Sequence, residues 1–433
     1  MDKKRIDVIS LGCSKNLVDS ERLLKQLELS GFQAFHNSDN VNGDIVIINT
    51  CGFIGDAKEE SINTILTYAE AKNEGRIKEL YVMGCLSERY RDDLLSEIPE
   101  IDRIYGKFDW INIVSDIIKR NPATMPYDRV ITTPSHYTYL KIAEGCNRFC
   151  AFCAIPLITG RYKSRPIEEI LEEVRMLVGK GVKEFNVIAQ DLSSYGLDIY
   201  KQLALPELID RMAEIDGVKW IRLHYAYPSE FPYEILDVMA RHSNVCNYLD
   251  IALQHINNDV LKNMRRHITK EETLALIRTI REKVPGIHIR TTLMVGFPGE
   301  TEEAFNELKE FVREAKFERM GAFAYCEEDD TYAAKNFSDS IPQEVKESRL
   351  EEIMTIQEDV ALESNQSKIG KTMTVVIDRE EPDYFVGRTE FDSPEVDPEV
   401  LIDKDDRLTV GNFYDVEITD ALPFELMARL KDF

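Results

Sequence analysis

Three times in the first 85 residues a short apolar run leads directly into a cysteine. Asp7 to Leu11, Asp44 to Ile48 and Leu80 to Met83 suit buried parallel strands, and they lead into Gly12-Cys13, Asn49-Thr50-Cys51-Gly52 and Gly84-Cys85. An amphipathic stretch follows each run, so the segment reads as a βαβ series and hence a doubly wound sheet. In such a sheet the C-terminal strand ends share one edge, where ligands bind. Cys13, Cys51 and Cys85 thereby become one candidate cluster site. Gly12, Gly52 and Gly84 let the backbone approach sulfide closely and turn N–H groups toward it. The competing reading is three unrelated buried cysteines, since cysteine is among the most buried residue types.

A second cysteine group is compact. Cys146, Cys150 and Cys153 form C-x3-C-x2-C just after a strand-like run from Tyr139 to Ala143. One loop can wrap three thiolates around an iron-sulfur cube and leave the fourth iron without a protein ligand. That open iron can be chelated by the amino and carboxylate groups of S-adenosylmethionine, which an electron then cleaves. A zinc site would want a fourth Cys or His at short range. His136 and His224 are present but not in motif spacing. Cys246 and Cys326 have no such context and read as core packing.

The segments Tyr139 to Ala143, Glu184 to Ala189, Trp220 to His224, Tyr248 to Leu253, Ile287 to Val295 and Met320 to Ala324 read as strands separated by helices. They predict an open (βα)6 partial barrel with its site at the C-terminal strand ends. A charged helix from Gln343 to Ser367 closes it, and alternating strands after Gly370 predict a small antiparallel β-barrel. Pro122, Pro126 and Pro134 mark a linker over Asn121 to Ser135. The resulting α/β architecture has domains at 1–122, 132–365 and 366–433.

Neither a membrane span nor a signal peptide is expected. Eight cysteines in a chain of 433 residues fit metal or redox chemistry in the cytoplasm better than disulfides. The net charge of -25 argues against a protein that mainly grips phosphate backbones. It leaves two readings, a basic protein partner or acidity that serves solubility alone.

Taken with Ser10-Leu11-Gly12-Cys13-Ser14-Lys15-Asn16-Leu17-Val18-Asp19-Ser20-Glu21, these motifs resemble the methylthiotransferase family of radical S-adenosylmethionine enzymes across essentially the whole chain. Ile155-Pro156 and Ser164-Arg165-Pro166 also suit that family. The N-terminal motif is similar to the branch that modifies an aspartate of the twelfth small-subunit ribosomal protein, and lacks the Gly-Cys-Gln-Met-Asn pattern typical of the tRNA-modifying branch. The resemblance implies two 4Fe-4S clusters, S-adenosylmethionine, an electron donor and a sulfur donor, with a C-terminal TRAM domain. It also implies a division of labour. The Cys146, Cys150 and Cys153 site generates a 5'-deoxyadenosyl radical that removes hydrogen from an aspartyl β-carbon. The Cys13, Cys51 and Cys85 site holds the sulfur that is methylated and transferred.

By the same resemblance, Gln190, Asp191, Gln254 and Arg265 should line the S-adenosylmethionine pocket, and Val295-Gly296 should approach it from a glycine-rich turn. The plainer alternatives are helix capping by Asp191, solvation of Gln254 and Arg265, and an ordinary strand-to-helix turn at Gly296. From Ser367 onward 17 Asp and Glu face 8 Lys and Arg, which disfavours direct nucleic-acid binding and favours a basic protein partner. Glu390, Asp392, Glu395, Asp397, Glu399, Asp403, Asp405 and Asp406 gather in one loop region, whose other reading is a solvated acidic loop. The rival functions are the same chemistry on tRNA adenosine and a non-catalytic ribosome-binding iron-sulfur protein.

Overall fold

The computed structural model describes residues 4–107, 109–118 and 128–431. It divides into two compact units. The first takes Met1–Thr133, Tyr139–Arg148 and Cys153–Met176, and the second takes Pro134–Thr138, Phe149–Phe152 and Leu177–Phe433.

In the first unit, strands β1 (Arg5–Ser10), β2 (Gln33–His36), β3 (Ile45–Thr50), β4 (Glu79–Gly84) and β5 (Arg103–Ile104) form a parallel sheet in the order β2-β1-β3-β4-β5. Alternation along β3 explains its burial on both faces. Ile45 and Ile47 pack with Leu23, Leu24 and Leu27 of the helix Ser14–Leu29, while Val46 and Ile48 pack with Ile65 and Ala69 of the helix Gly55–Asn73. The three strands expected from sequence are present, and β2 and β5 are additional.

Residues 121–127 of the expected linker, with Pro122 and Pro126, lie outside the described residues. The segment that begins at Asp128 is no loose tether. Arg129 is fully buried, ion-paired to Glu21 and, at 3.0 Å, to Glu173. Lys141 pairs with Asp19 in the same unit. A guanidinium or ammonium out of water must be compensated, and these carboxylates do so. The first compact unit therefore reaches past the expected boundary at 122 and includes Cys146 and Cys153.

The chain passes through β6 (Tyr137–Lys141), and the short antiparallel pair β7 (Ala143–Glu144) and β8 (Lys163–Ser164) brackets the compact cysteine loop. Strands β9 (Glu184–Ile188), β10 (Trp220–Ala226), β11 (Val245–Gln254), β12 (His288–Val295) and β13 (Arg319–Ala324) follow, giving a six-stranded sheet in the order β13-β12-β11-β10-β9-β6. It is parallel from β9 to β13. Helices separate these strands, their starts fixed by caps such as the Thr269–Glu272 capping box and the Thr301 hydroxyl.

After the helix Gln343–Gln366, strands β14 (Thr372–Glu380), β15 (Tyr384–Thr389), β16 (Glu399–Asp403), β17 (Phe413–Leu422) and β18 (Glu425–Leu430) close a barrel around Val375, Ile377, Val400, Ile402, Val416 and Leu426. It is antiparallel except where β16 meets β18. Those two strands flank β17 in sequence and run the same way, so closure requires one parallel pairing.

The acidic loop departs from the expectation of a partner-facing surface. Glu390 accepts from Asn247 N at 3.0 Å, Asp392 from Arg319 at 2.6 Å, Glu395 from the Tyr137 hydroxyl at 3.2 Å, and Asp397 from the Tyr248 hydroxyl at 2.8 Å and Arg290 at 3.2 Å. These four acids hold the small barrel against residues of the six-stranded sheet. Glu399 pairs with Arg379 and Asp405 with Arg407. The local charge sum counted acids whose partners are elsewhere in the same chain.

Candidate functional site

The first sheet brings Cys13, Cys51 and Cys85 to one edge, at the ends of the adjacent strands β1, β3 and β4. Gly12 makes their approach possible. Its φ is +83°, and a Cβ there would lie 2.6 Å from Cys51 Cβ and 2.8 Å from Cys51 Sγ. Asn16 ties the strand ends together. Its amide donates to Thr50 O at 3.0 Å and to Leu11 O at 3.2 Å, and the Cys85 thiol donates to its Oδ1 at 3.6 Å. Ser61 fixes Cys51 by accepting from its N–H and donating to its carbonyl.

The three thiols differ electrostatically. Cys13 is the N-cap residue of the helix Ser14–Leu29. Loss of hydration raises its pKa, but Lys15, Lys107 and the N–H groups of Asn16 and Lys15 carry it below the ordinary value. Burial raises Cys51 and pushes Cys85 up to about 12, with Lys107 opposing the latter. A cluster binds thiolates, so a cluster held here would release protons from the two buried cysteines on loading.

Among the described residues no three His, Cys, Asp or Glu side chains converge on a point that a single ion could occupy. A four-iron cube is larger than an ion and takes thiolates at its corners. Three cysteines on one sheet edge, with a glycine cradle that a side chain would fill, have the donor chemistry for such a group.

In the first unit the compact loop is set by Gly145, where φ is +77° and a Cβ would lie 2.2 Å from Arg161 O. Cys146 N donates to Gly160 O at 3.2 Å, and Tyr162 N to Asn147 Oδ1 at 3.2 Å. Cys85 packs with Ala154 and Ile158, immediately beyond Cys153. Sequentially distant cysteines thus converge on one neighbourhood.

In the second unit, Ala151 pins the middle of the loop by bonding Met264 O at 2.9 Å and accepting from Ala333 N at 2.7 Å. Cys150 meets Arg266, whose Nη1 lies 3.3 Å from its Sγ. The same guanidinium covers the Tyr227 ring at 4.0 Å and donates to Ala252 O.

The expected S-adenosylmethionine contacts sort unevenly. Arg265 has its backbone at φ +56° and its guanidinium over the Tyr332 ring at 4.6 Å. The arginine beside the cysteine loop is its neighbour Arg266, which sequence reasoning missed. Asp191 caps the short helix Leu192–Ser194, accepting from Ser193 N and the Ser194 hydroxyl. Gln190 directly follows Ala189 at the end of β9, and Gln254 ends β11 with φ +72°. Val295 ends β12 fully buried, and Gly296 N donates to Glu300 at 2.9 Å. Glu300 also accepts from Arg349 at 2.8 Å, so this carboxylate shapes the glycine-rich turn. His136 pairs with Asp378 and His224 with Asn186, which engages both alternative zinc ligands elsewhere. Cys246 is core, packed with Trp220 and Tyr248. Cys326 is exposed beyond β13, contrary to its core assignment, because the chain has already left the sheet.

Family models match in three stretches: the Radical SAM superfamily over residues 140–312, the uncharacterized protein family UPF0004 over 5–106, and the TRAM domain over 369–430. Curated relatives named ribosomal protein uS12 methylthiotransferase RimO match throughout. The Bacteroides thetaiotaomicron protein is 61% identical, covering 99% of each chain. That of Phocaeicola vulgatus is 59% identical, covering 99% of this chain and 100% of its own. Among solved structures, the radical S-adenosylmethionine methyltransferase TsrM from Kitasatospora setae, with cobalamin and a [4Fe-4S] cluster bound, aligns with TM-score 0.58 at 16% identity over 77% of each chain. The cobalamin-dependent S-adenosylmethionine radical enzyme OxsB aligns at 0.54 and 11% identity, over 80% of this chain and 56% of its own. At such identities these likenesses speak to fold alone.

Proposed function

The chain belongs to the RimO family of ribosomal protein uS12 methylthiotransferases, and from that premise we propose that it is a radical S-adenosylmethionine enzyme carrying two 4Fe-4S clusters and adding a methylthio group to an aspartyl β-carbon of uS12. Cys146, Cys150 and Cys153 hold the cluster that binds S-adenosylmethionine, and Cys13, Cys51 and Cys85 hold the other. The observation that carries this reading is the gathering of Cys13, Cys51 and Cys85 on one sheet edge, with Cys85 packed against the helix that follows Cys153.

When bound, the clusters and S-adenosylmethionine supply one-electron reduction and a radical able to attack an unactivated C–H bond. The chain's own residues orient and shield. Ala151 fixes the loop by two backbone hydrogen bonds, and Arg266 presents an N–H to the Cys150 sulfur. Gln190, just beyond β9, and Gln254, at the end of β11, are the polar side chains we assign to orienting S-adenosylmethionine. An electron donor and a sulfur donor complete the reaction. No described helix is long and apolar enough to cross a membrane.

The test is anaerobic incubation of the reconstituted chain with S-adenosylmethionine, a strong reductant, and either uS12 or tRNA. 5'-Deoxyadenosine and a methylthio mass gain on uS12 are expected. A gain on tRNA alone overturns the substrate, and absence of 5'-deoxyadenosine overturns the chemistry.

A further inference from the structure

Strand β5 lies beside β4 and ends at the edge where β1, β3 and β4 release Cys13, Cys51 and Cys85. The loop leaving it is Tyr105-Gly106-Lys107. A fourth strand end thus delivers a lysine where its neighbours deliver cysteines. Glu88, three residues after Cys85, fixes this loop: Lys107 N donates to its Oε2 at 3.0 Å, and a Cβ on Gly106 would lie 2.2 Å from the same oxygen.

The Lys107 side chain is 3% exposed, and its ammonium donates to Glu144 Oε1 at 3.1 Å. The other Glu144 oxygen pairs with Lys141 at 2.8 Å, and Lys141 pairs with Asp19 on the helix that Cys13 caps. Glu144 is two residues before Cys146. The chain of charges runs from the Cys13 helix to the strand that leads into Cys146, and Lys107 is its member on the sheet edge that carries Cys13 and Cys85. The ion pair with Glu144 compensates the ammonium out of water.

We propose that Lys107 is a positioning residue of the Cys13, Cys51 and Cys85 site, holding a fixed positive charge beside its thiolates and tying that site through Glu144 to the loop of Cys146. The inference rests on the two-cluster reading. Cluster potentials follow net charge, hydrogen bonds to sulfur and exposure, so a buried ammonium there raises the potential of the cluster it faces.

The test uses the full chain, reconstituted anaerobically, with iron and sulfide analysis and a redox titration followed by electron paramagnetic resonance. The signal missing from a Cys13→Ala variant identifies the first cluster. Lys107→Met is expected to move that signal to more negative potential, Lys107→Arg to restore it, and Glu144→Gln to move it the other way. A Lys107→Met protein with full iron and unshifted potential overturns the inference, as does an arginine variant that behaves like methionine. Should Lys107→Met not fold, Glu144→Gln carries the test, and an unshifted potential there overturns it equally. Wild-type protein binding iron for one cluster alone overturns the two-cluster reading instead.

Discussion

Arg266 donates from Nη1 to Cys150 Sγ across 3.3 Å while its guanidinium lies 4.0 Å from the Tyr227 ring centroid. Burial opposes the charge, and the Cys150 and Tyr227 side chains favour it. On the proposed cluster, a charge-assisted N–H to the Cys150 sulfur would stabilise the reduced form. We predict that Arg266→Met slows 5'-deoxyadenosine formation roughly 10- to 100-fold, the usual cost of losing a partner that orients a metal ligand. The protein should retain its iron. An unchanged rate at full iron content would sink this role.

Arg129 is buried between Glu21 and Glu173. Removing one member of a buried ionic group strands the others without solvent, at about 3–5 kcal/mol. Arg129→Met should therefore lower the unfolding free energy of the first unit, measured by urea denaturation, by that amount. Surface pairs such as Arg313 with Glu310 should cost under about 1 kcal/mol when broken. Equal effects from the two substitutions would refute the distinction.

The contact between Arg319 and Asp392 joins the six-stranded sheet to the small barrel, with both side chains buried. Burial would raise the Asp392 pKa, but Arg319 and Lys368 hold it below the usual carboxylate range. An unfolded aspartate titrates near about 3.9, so this pair stabilises fully above that pH and loses its contribution as pH falls through the lower native value. Asp392→Asn should be less stable than wild type at neutral pH and converge with it on acidification. Divergence as the pH drops would contradict the assignment.

Legibility in the sequence followed the physical range of each signal. Apolar runs ending in cysteines exposed β1, β3 and β4, because burial on both sheet faces makes such runs continuous. Strand β5 is two residues long, too short for any period, so Lys107 had no visible strand end to mark it. Arg265 and Arg266 are adjacent, and nothing in the sequence says which of them reaches the Cys150 sulfur, as Arg266 does. Charge counting found the acidic loop but could not find its partners. Asp397 meets Arg290 and Tyr248 across more than a hundred positions of sequence, a separation over which no local pattern operates.

Lys368 supplies the last prediction. It is 5% exposed and donates to Asn365 Oδ1 at 2.7 Å. Burial, reinforced by Arg319 and Lys371 and opposed by Asp392 and Glu318, lowers its pKa to about 7. An unfolded lysine titrates near about 10.4. Between these values the unfolded chain binds the extra proton, so stability rises with pH, by up to about 1.4 kcal/mol per pH unit. Below pH 7 the ammonium is charged in both states and the full burial penalty remains. Lys368→Met removes the group, and its advantage over wild type should be largest near pH 6 and shrink steadily toward pH 10. Denaturation of both proteins across that range gives the comparison, and a difference independent of pH would show that Lys368 titrates normally in the folded chain.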